Sequence, residues 1–146
     1  ALAIGRSGRT LEPRKLPVSL KATWFRDKLR RKSQRGFQGY PVATVAYYGP
    51  SDARASKVAV SIMLSDGAEP ESLERWFSKV ADVRTDPQIN EAVMHFIQKH
   101  GAKTVVMPDR IIGCPHEEGV DYPEGESCPQ CSYWAGRDRF TGKLVE

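Results

Sequence analysis

The feature that most constrains this chain is the composition of its last third. After Ile112 the sequence is rich in cysteine, proline, glycine and acidic residues, which supply too little apolar surface to build a hydrophobic core. All three cysteines of the 146-residue chain lie here, between positions 114 and 131. An odd number of clustered cysteines beside a histidine favours metal ligation over a disulfide framework. We therefore expect a metal ion to stabilise this segment.

The spacing of the cysteines indicates which residues bind the ion. Cys128-Pro129-Gln130-Cys131 has the two-residue gap that lets both thiolates of a tight turn face one ion, and Cys114-Pro115-His116 supplies a second pair. Three thiolates and one imidazole form a tetrahedral Zn²⁺ site that has no open position for water. We predict a structural zinc ion bound by four residues: Cys114, His116, Cys128 and Cys131.

Other interpretations of the same segment remain open at this point. The one-residue gap between Cys114 and His116 is less usual, so the fourth ligand could instead be His100, Glu117, Glu118 or Asp121. Without a metal, the segment would hold three reduced thiols in a solvated acidic loop. The order His116-Glu117-Glu118 before the C-x-x-C pair also resembles the zinc deaminase pattern. However, Ser127 rather than proline precedes Cys128, and only nine residues separate Glu118 from Cys128.

Hydrophobic patterning predicts an α+β fold for residues 41–112, with a three-stranded sheet in the order ββααβ and two helices on one face. β-Branched and aromatic residues predict strands at 42–48 and 57–64, joined by a Gly49-Pro50 turn into an antiparallel hairpin, and a third strand at 104–107. The second strand alternates between one face with Val58, Val60, Ile62 and Leu64 and another with Lys57, Ala59, Ser61 and Met63, which predicts a half-buried strand. Pro70 and the apolar residues Leu73, Trp76, Phe77 and Val80 predict a helix. Asp86-Pro87 begins a second helix, which Gly101 ends.

The N-terminal 40 residues form a basic arm. They contain 11 basic and two acidic residues, a net charge of +9, whereas the other 106 residues carry 11 basic and 16 acidic groups, a net charge of −5. Residues 1–17 show no hydrophobic period and are expected to be extended or disordered. Val18, Ala22, Phe25 and Leu29 fall at helical spacing and predict a short basic amphipathic helix that ends before Gly36.

We divide the chain into a basic arm at 1–40, an α+β core at 41–112 and a zinc-binding module at 113–146. No apolar run approaches the ~20 residues that a membrane-spanning helix needs. The N-terminus also lacks the pattern of a signal peptide. The chain is therefore expected to be soluble and intracellular.

We favour the hypothesis that the chain is a non-catalytic zinc protein that binds nucleic acid. The nucleic acid could be RNA or DNA, free or within a ribonucleoprotein assembly. The reason is that a cationic arm with interleaved aromatic residues suits phosphates and bases. The candidate nucleic-acid-binding residues are Arg26, Lys28, Arg30, Arg31, Lys32, Arg35, Arg137 and Arg139. A second hypothesis is a protein-binding subunit whose arm helix inserts Trp24, Phe25 and Leu29 into a partner's groove. The helix could also dock on its own body. A metal-dependent enzyme is the third, although no nucleophile or base is identifiable.

Overall fold

The structure is a computed structural model that describes residues 18–108 and 110–137, with the side chains of residues 18–23 and 25 excepted. It has an α+β fold of two helices and a four-stranded mixed sheet. The elements are α1 (Val18–Gln34), β1 (Val42–Tyr48), β2 (Lys57–Met63), β3 (Ser72–Phe77), α2 (Pro87–Lys99) and β4 (Thr104–Val106). Two short 3-10 helices, Val83–Thr85 and Ser132–Trp134, complete the described elements.

The sheet has the strand order β3-β2-β1-β4. β1 and β2 form the predicted antiparallel hairpin, in which Val45 lies opposite Val60. β4 pairs parallel to β1, and β3 pairs antiparallel to β2. The carboxyl ends of β1 and β4 consequently lie at the same end of the sheet.

The helix predicted after Pro70 is wrong, because this segment forms strand β3. Its apolar residues repeat at helical spacing, yet Leu73, Phe77 and Val80 are exposed. Only Trp76 packs against the core, where its ring meets Phe96 edge-on at 5.8 Å. The strand forms because its backbone pairs with the outer edge of β2, which would otherwise leave N–H and C=O groups unpaired. The sheet therefore has four strands rather than three.

The two faces of the sheet differ as the alternation in β2 predicted. Val58, Val60 and Ile62 are fully buried, together with alternate residues of β1 such as Val45. This face carries the hydrophobic core, which includes Ile97 of α2. Because side chains alternate along a strand, the residues between them project from the opposite face.

Helix α2 begins and ends where its sequence predicted. The carboxylate of Asp86 accepts hydrogen bonds from the backbone amides of Gln88 (2.9 Å) and Ile89 (3.2 Å), and Pro87 occupies the first turn. At the other end the chain turns through Gly101, whose φ of 64° lies in the left-handed region that favours glycine.

Helix α1 is docked on the body of the protein. Leu29 is fully buried in the same hydrophobic core as α2 and the sheet. The protein-binding hypothesis requires Leu29 to insert into a partner's groove, and a buried Leu29 is not available for that. The interpretation in which the helix docks on its own body fits this packing. Among the described residues, no helix combines the length and the apolar character needed to cross a membrane.

Candidate metal centre

The metal centre is assembled by two loops that the sheet positions. After β4 the chain continues beside β1 in the same direction, and the amide of Ile112 donates to the carbonyl of Tyr47 (2.9 Å). The amide of Gly49, in the β1–β2 turn, donates to the carbonyl of Gly113 (2.8 Å). These contacts place Cys114 at the end of the sheet where β1 ends and β2 begins.

The structure brings the four predicted ligands together. One ligand atom from each of Cys114, His116, Cys128 and Cys131 lies within 4.8 Å of every other, and we call these residues the Cys/His cluster. The Nδ1 atom of His116 lies 3.2, 3.4 and 3.5 Å from the three sulfur atoms. A tetrahedral ion with Zn–S of about 2.3 Å and Zn–N of about 2.0 Å would separate sulfur and nitrogen by about 3.5 Å. The cluster can hold a metal ion, and its donor set and distances are consistent with zinc.

The three thiols hold their protons unequally. Burial raises the pKa of the Cys114 thiol to about 12, and burial also raises the pKa of Cys131. Burial acts in the same direction on Cys128, but hydrogen bonds from the Gln130 amide and from the neighbouring thiols lower that pKa more. A bound dication would stabilise the thiolate form of all three, because thiolates rather than thiols are the metal ligands.

A buried lysine anchors the loop between the first two ligands. The side chain of Lys57, at the start of β2, is 5% exposed. Its Nζ atom donates to the carbonyl of Pro115 and to the carboxylate of Glu117, both at 3.0 Å. Arg75 of β3 also binds Glu117. The hydrogen bond from Lys57, together with the contact from Arg75, holds the pKa of the Glu117 carboxyl below its usual range.

The acidic residues proposed as alternative fourth ligands have other partners. Glu117 forms the ion pairs with Lys57 and Arg75, and its backbone amide donates to Asp121 (2.7 Å). Glu118 accepts a hydrogen bond from the amide of Gly125 (2.7 Å). Thus part of the acidic loop, expected to be solvated, orders the backbone around the Cys/His cluster.

Trp134 joins the Cys/His cluster to the rest of the protein. Its ring packs against both the hydrophobic core and the cluster. Its indole Nε1 donates to the carbonyl of Gly49 at 2.7 Å. Gly49 therefore contacts the metal-binding segment through both its amide and its carbonyl.

No family model, no curated protein and no solved structure matches this chain. Its function is accordingly inferred from its own residues and their geometry.

The predicted nucleic-acid-binding residues lie in two places. Those from Arg26 to Arg35 lie on α1 or directly after it. Arg137 is instead in the C-terminal segment, where its guanidinium lies 4.1 Å from the Tyr133 ring centroid and its Nε donates to the carbonyl of Tyr133. Arg139 lies outside the described residues. The described candidates thus belong to two separate segments of the chain.

Sequence reasoning missed Lys57 and Arg75. The alternation in β2 placed Lys57 on the exposed face, where a lysine is unremarkable. Arg75 fell within the segment predicted as a helix. Neither residue carries a local signal, because the loop that contacts them lies 42 to 60 positions away in the sequence.

Proposed function

We propose that the Cys/His cluster binds one zinc ion whose role is structural. Four protein ligands complete a tetrahedron and leave no position for a substrate or an activated water. The C-terminal segment also has few apolar residues of its own: among the described residues, its buried side chains are Tyr122 and the ligands Cys128 and Cys131, with Trp134 packed against them. Zinc binding would therefore supply folding free energy to this segment.

Elemental analysis of reduced, freshly purified protein tests the zinc proposal, and we expect one zinc ion per chain. Cys128→Ser should release the metal and loosen residues 111–137, because a three-ligand site binds zinc far more weakly. Ser127→Ala, at the adjacent exposed position, is the matched control and should retain the metal. Protein without stoichiometric zinc would refute this proposal.

We further propose that the protein binds nucleic acid through the outer face of α1. This face is defined by Trp24, Lys28 and Arg31, which recur at i, i+4 and i+7 on α1, and by Arg35, which directly follows the helix. The observation that supports the proposal is this division, in which Leu29 is buried while Trp24, Arg31 and Arg35 are exposed. Docking through Leu29 fixes the helix and leaves Arg31 and Arg35 exposed to solvent.

The composition of the outer face suits a polyanion with bases. Lys28 Nζ lies 5.0 Å from the Trp24 ring centroid, so that a cation and a half-exposed aromatic ring adjoin. Aromatic rings stack on bases without sequence preference, and lysine and arginine neutralise phosphates. Residues 26–35 carry six basic side chains against the single acid Asp27.

The test is the salt dependence of binding to a short duplex and to a single strand. Each phosphate contact contributes about −0.9 to the log–log slope on duplex, so the three cations of the outer face predict a slope of about −3. The double variant Arg31→Glu and Arg35→Glu should weaken binding and reduce the slope by about 2.

A control with the same change in net charge is Lys79→Glu and Lys99→Glu, since both lysines are exposed and lie outside α1. It should bind nearly as well as the unmodified protein. Equal losses in the two double variants would show that net charge rather than the outer face drives binding. Absence of binding at low salt to both nucleic acids would refute the proposal.

A further inference from the structure

A cavity of about 780 Å³ lies on the helix side of the sheet. Its walls come from α1, from the 3-10 helix Val83–Thr85, from Tyr47 near the end of β1, and from Met107 and Pro108 just beyond β4. The cavity thus opens beside the carboxyl ends of the two parallel strands, β1 and β4. Its volume falls within the range of small-molecule sites.

Three arginines line this cavity against one carboxylate. Arg84 neutralises that carboxylate, because its guanidinium contacts Asp82 through Nη2 at 2.7 Å and through Nε at 2.9 Å. The other two cations, Arg26 and Arg30, lie one helical turn apart on α1. The described lining residues therefore leave two positive charges without a compensating acid.

Arg26 also holds an unused donor. Its Nε atom is buried and has no hydrogen-bond partner among the residues that the structure describes. A buried donor without an acceptor is unfavourable and marks a place where an additional acceptor would stabilise the protein. A ligand oxygen in the cavity would be such an acceptor.

Tyr47 adds a neutral polar group to the same wall. Burial raises its pKa to about 12, while the charges of Arg84, Arg30 and Arg26 act in the opposite direction. The hydroxyl consequently stays protonated at neutral pH and can donate a hydrogen bond. Since Tyr47 is 4% exposed, its position is fixed by the core rather than by solvent.

We propose that this cavity binds a small phosphate monoester, with Arg26 and Arg30 contacting the phosphate. A phosphate dianion matches the two uncompensated guanidinium groups, whose planar donor geometry suits phosphate oxygens. The cavity is larger than inorganic phosphate alone requires, and Met107 and Pro108 give it an apolar side for the organic group. The site is separate from the outer face of α1, because Arg26 and Arg30 lie on a different flank of the helix from Arg31 and Arg35.

Calorimetric titration of the full, metal-loaded chain tests the proposal, with inorganic phosphate, adenosine 5′-monophosphate and unphosphorylated adenosine as probes. We expect saturable binding of the monophosphate, weaker binding of phosphate and no binding of adenosine. Arg26→Gln should weaken monophosphate binding about tenfold or more, because it removes a charged donor. The matched control is Arg31→Gln on the outer face, which should change the affinity for the monophosphate less than about twofold.

Equal weakening by the two variants would overturn the proposal in favour of diffuse surface electrostatics. The assignment of a phosphate monoester as the ligand would be overturned by either of two results. One is that adenosine binds as strongly as the monophosphate, and the other is that neither phosphate probe shows saturable binding. If Arg26→Gln does not fold, Tyr47→Phe decides, since it keeps the ring and should still reduce affinity several-fold. The Arg31→Glu and Arg35→Glu variant should retain monophosphate binding even where it loses nucleic acid, so the two proposals can fail separately.

Discussion

At the scale of single residues, Lys57 supports the Cys/His cluster from outside it, through the loop that carries two of the ligands. Its ammonium group lies 5.2 Å from the Tyr48 ring centroid and 5.7 Å from that of Phe77, and it donates to Pro115 between two ligands. A buried charge of this kind is stable only when it is paired and hydrogen-bonded. Lys57 and the loop that carries Cys114 and His116 therefore stabilise each other.

Replacing Lys57 tests this dependence. Lys57→Met keeps an unbranched side chain of similar length but removes the donor to Pro115, so the loop that carries Cys114 and His116 is less ordered. We expect zinc affinity to fall about tenfold, as is typical when a residue that orients the ligands is lost. Competition with a chromophoric chelator measures the change, and Lys79→Met at an exposed position is the control. An unchanged affinity would show that the ligands position themselves without Lys57.

Asp82 gives the protein a predictable response to acid. Burial raises the pKa of its carboxyl, but hydrogen bonds from the side chain and amide of Arg84 and from the amide of Ala55 lower it more, and the net shift is downward. A carboxyl with a lowered folded-state pKa stabilises the fold above its unfolded pKa of about 3.9. That contribution disappears as the pH falls through the lower, folded-state value.

Asp82→Asn should accordingly lower the unfolding free energy at pH 7 by about 1–2 kcal/mol, because charged hydrogen bonds are lost. The difference between the two proteins should shrink below about pH 4, where the carboxyl of the unfolded chain begins to protonate while that of the folded protein is still ionised. Urea unfolding at both pH values measures it. A difference that is constant with pH would mean that the charge of Asp82 is not what stabilises this region.

At the scale of elements, α1 is held on the core by Leu29, which is fully buried among the side chains of this helix that the structure describes. Leu29→Ala should lower the unfolding free energy by about 2–5 kcal/mol, the usual cost of emptying a buried leucine site. Arg31→Ala, two residues away on the exposed face, should change it by less than about 0.5 kcal/mol. Chemical denaturation followed by circular dichroism provides both values. Similar effects of the two substitutions would contradict a docked helix.

The elements also show where sequence patterns suffice and where they do not. Helix α2 could be predicted because its signals are local: Asp86 caps its first turn and Gly101 terminates it. The β1–β2 hairpin follows from period-two alternation around a turn. β3 could not be predicted, because a six-residue segment gains its strand conformation from the edge of β2 and not from its own periodicity.

The metal cluster was more predictable than its support. The two-residue gap between Cys128 and Cys131 identifies them as metal ligands, and the position of His116 two residues after Cys114 predicts the second pair. The contacts of Lys57 and Arg75 with Glu117 are fixed by sheet topology, which the sequence pattern did not contain. The cavity was missed for the same reason, since its walls come from four separate segments of the chain.

At the scale of the whole molecule, the metal centre and the cavity lie on opposite sides of one sheet. The cavity adjoins Tyr47, whose side chain is buried on the face that carries the helices. The metal-binding loop contacts Lys57 and Arg75, which project from the other face. Both sites lie near the end of β1, so a single strand supports each of them without their sharing a side chain.

Gly49, in the β1–β2 turn, occupies a position that cannot accept a larger residue without a change in the backbone. A Cβ atom at this position would lie 2.0 Å from the carbonyl oxygen of Arg54, a backbone atom that cannot swing aside. The same residue bonds Gly113 and Trp134 through its own backbone. A library of all single substitutions should therefore rank position 49 with the cysteines in intolerance, although glycine ligates nothing. Any divergent descendant of this sequence would have to keep a glycine there or rebuild the turn.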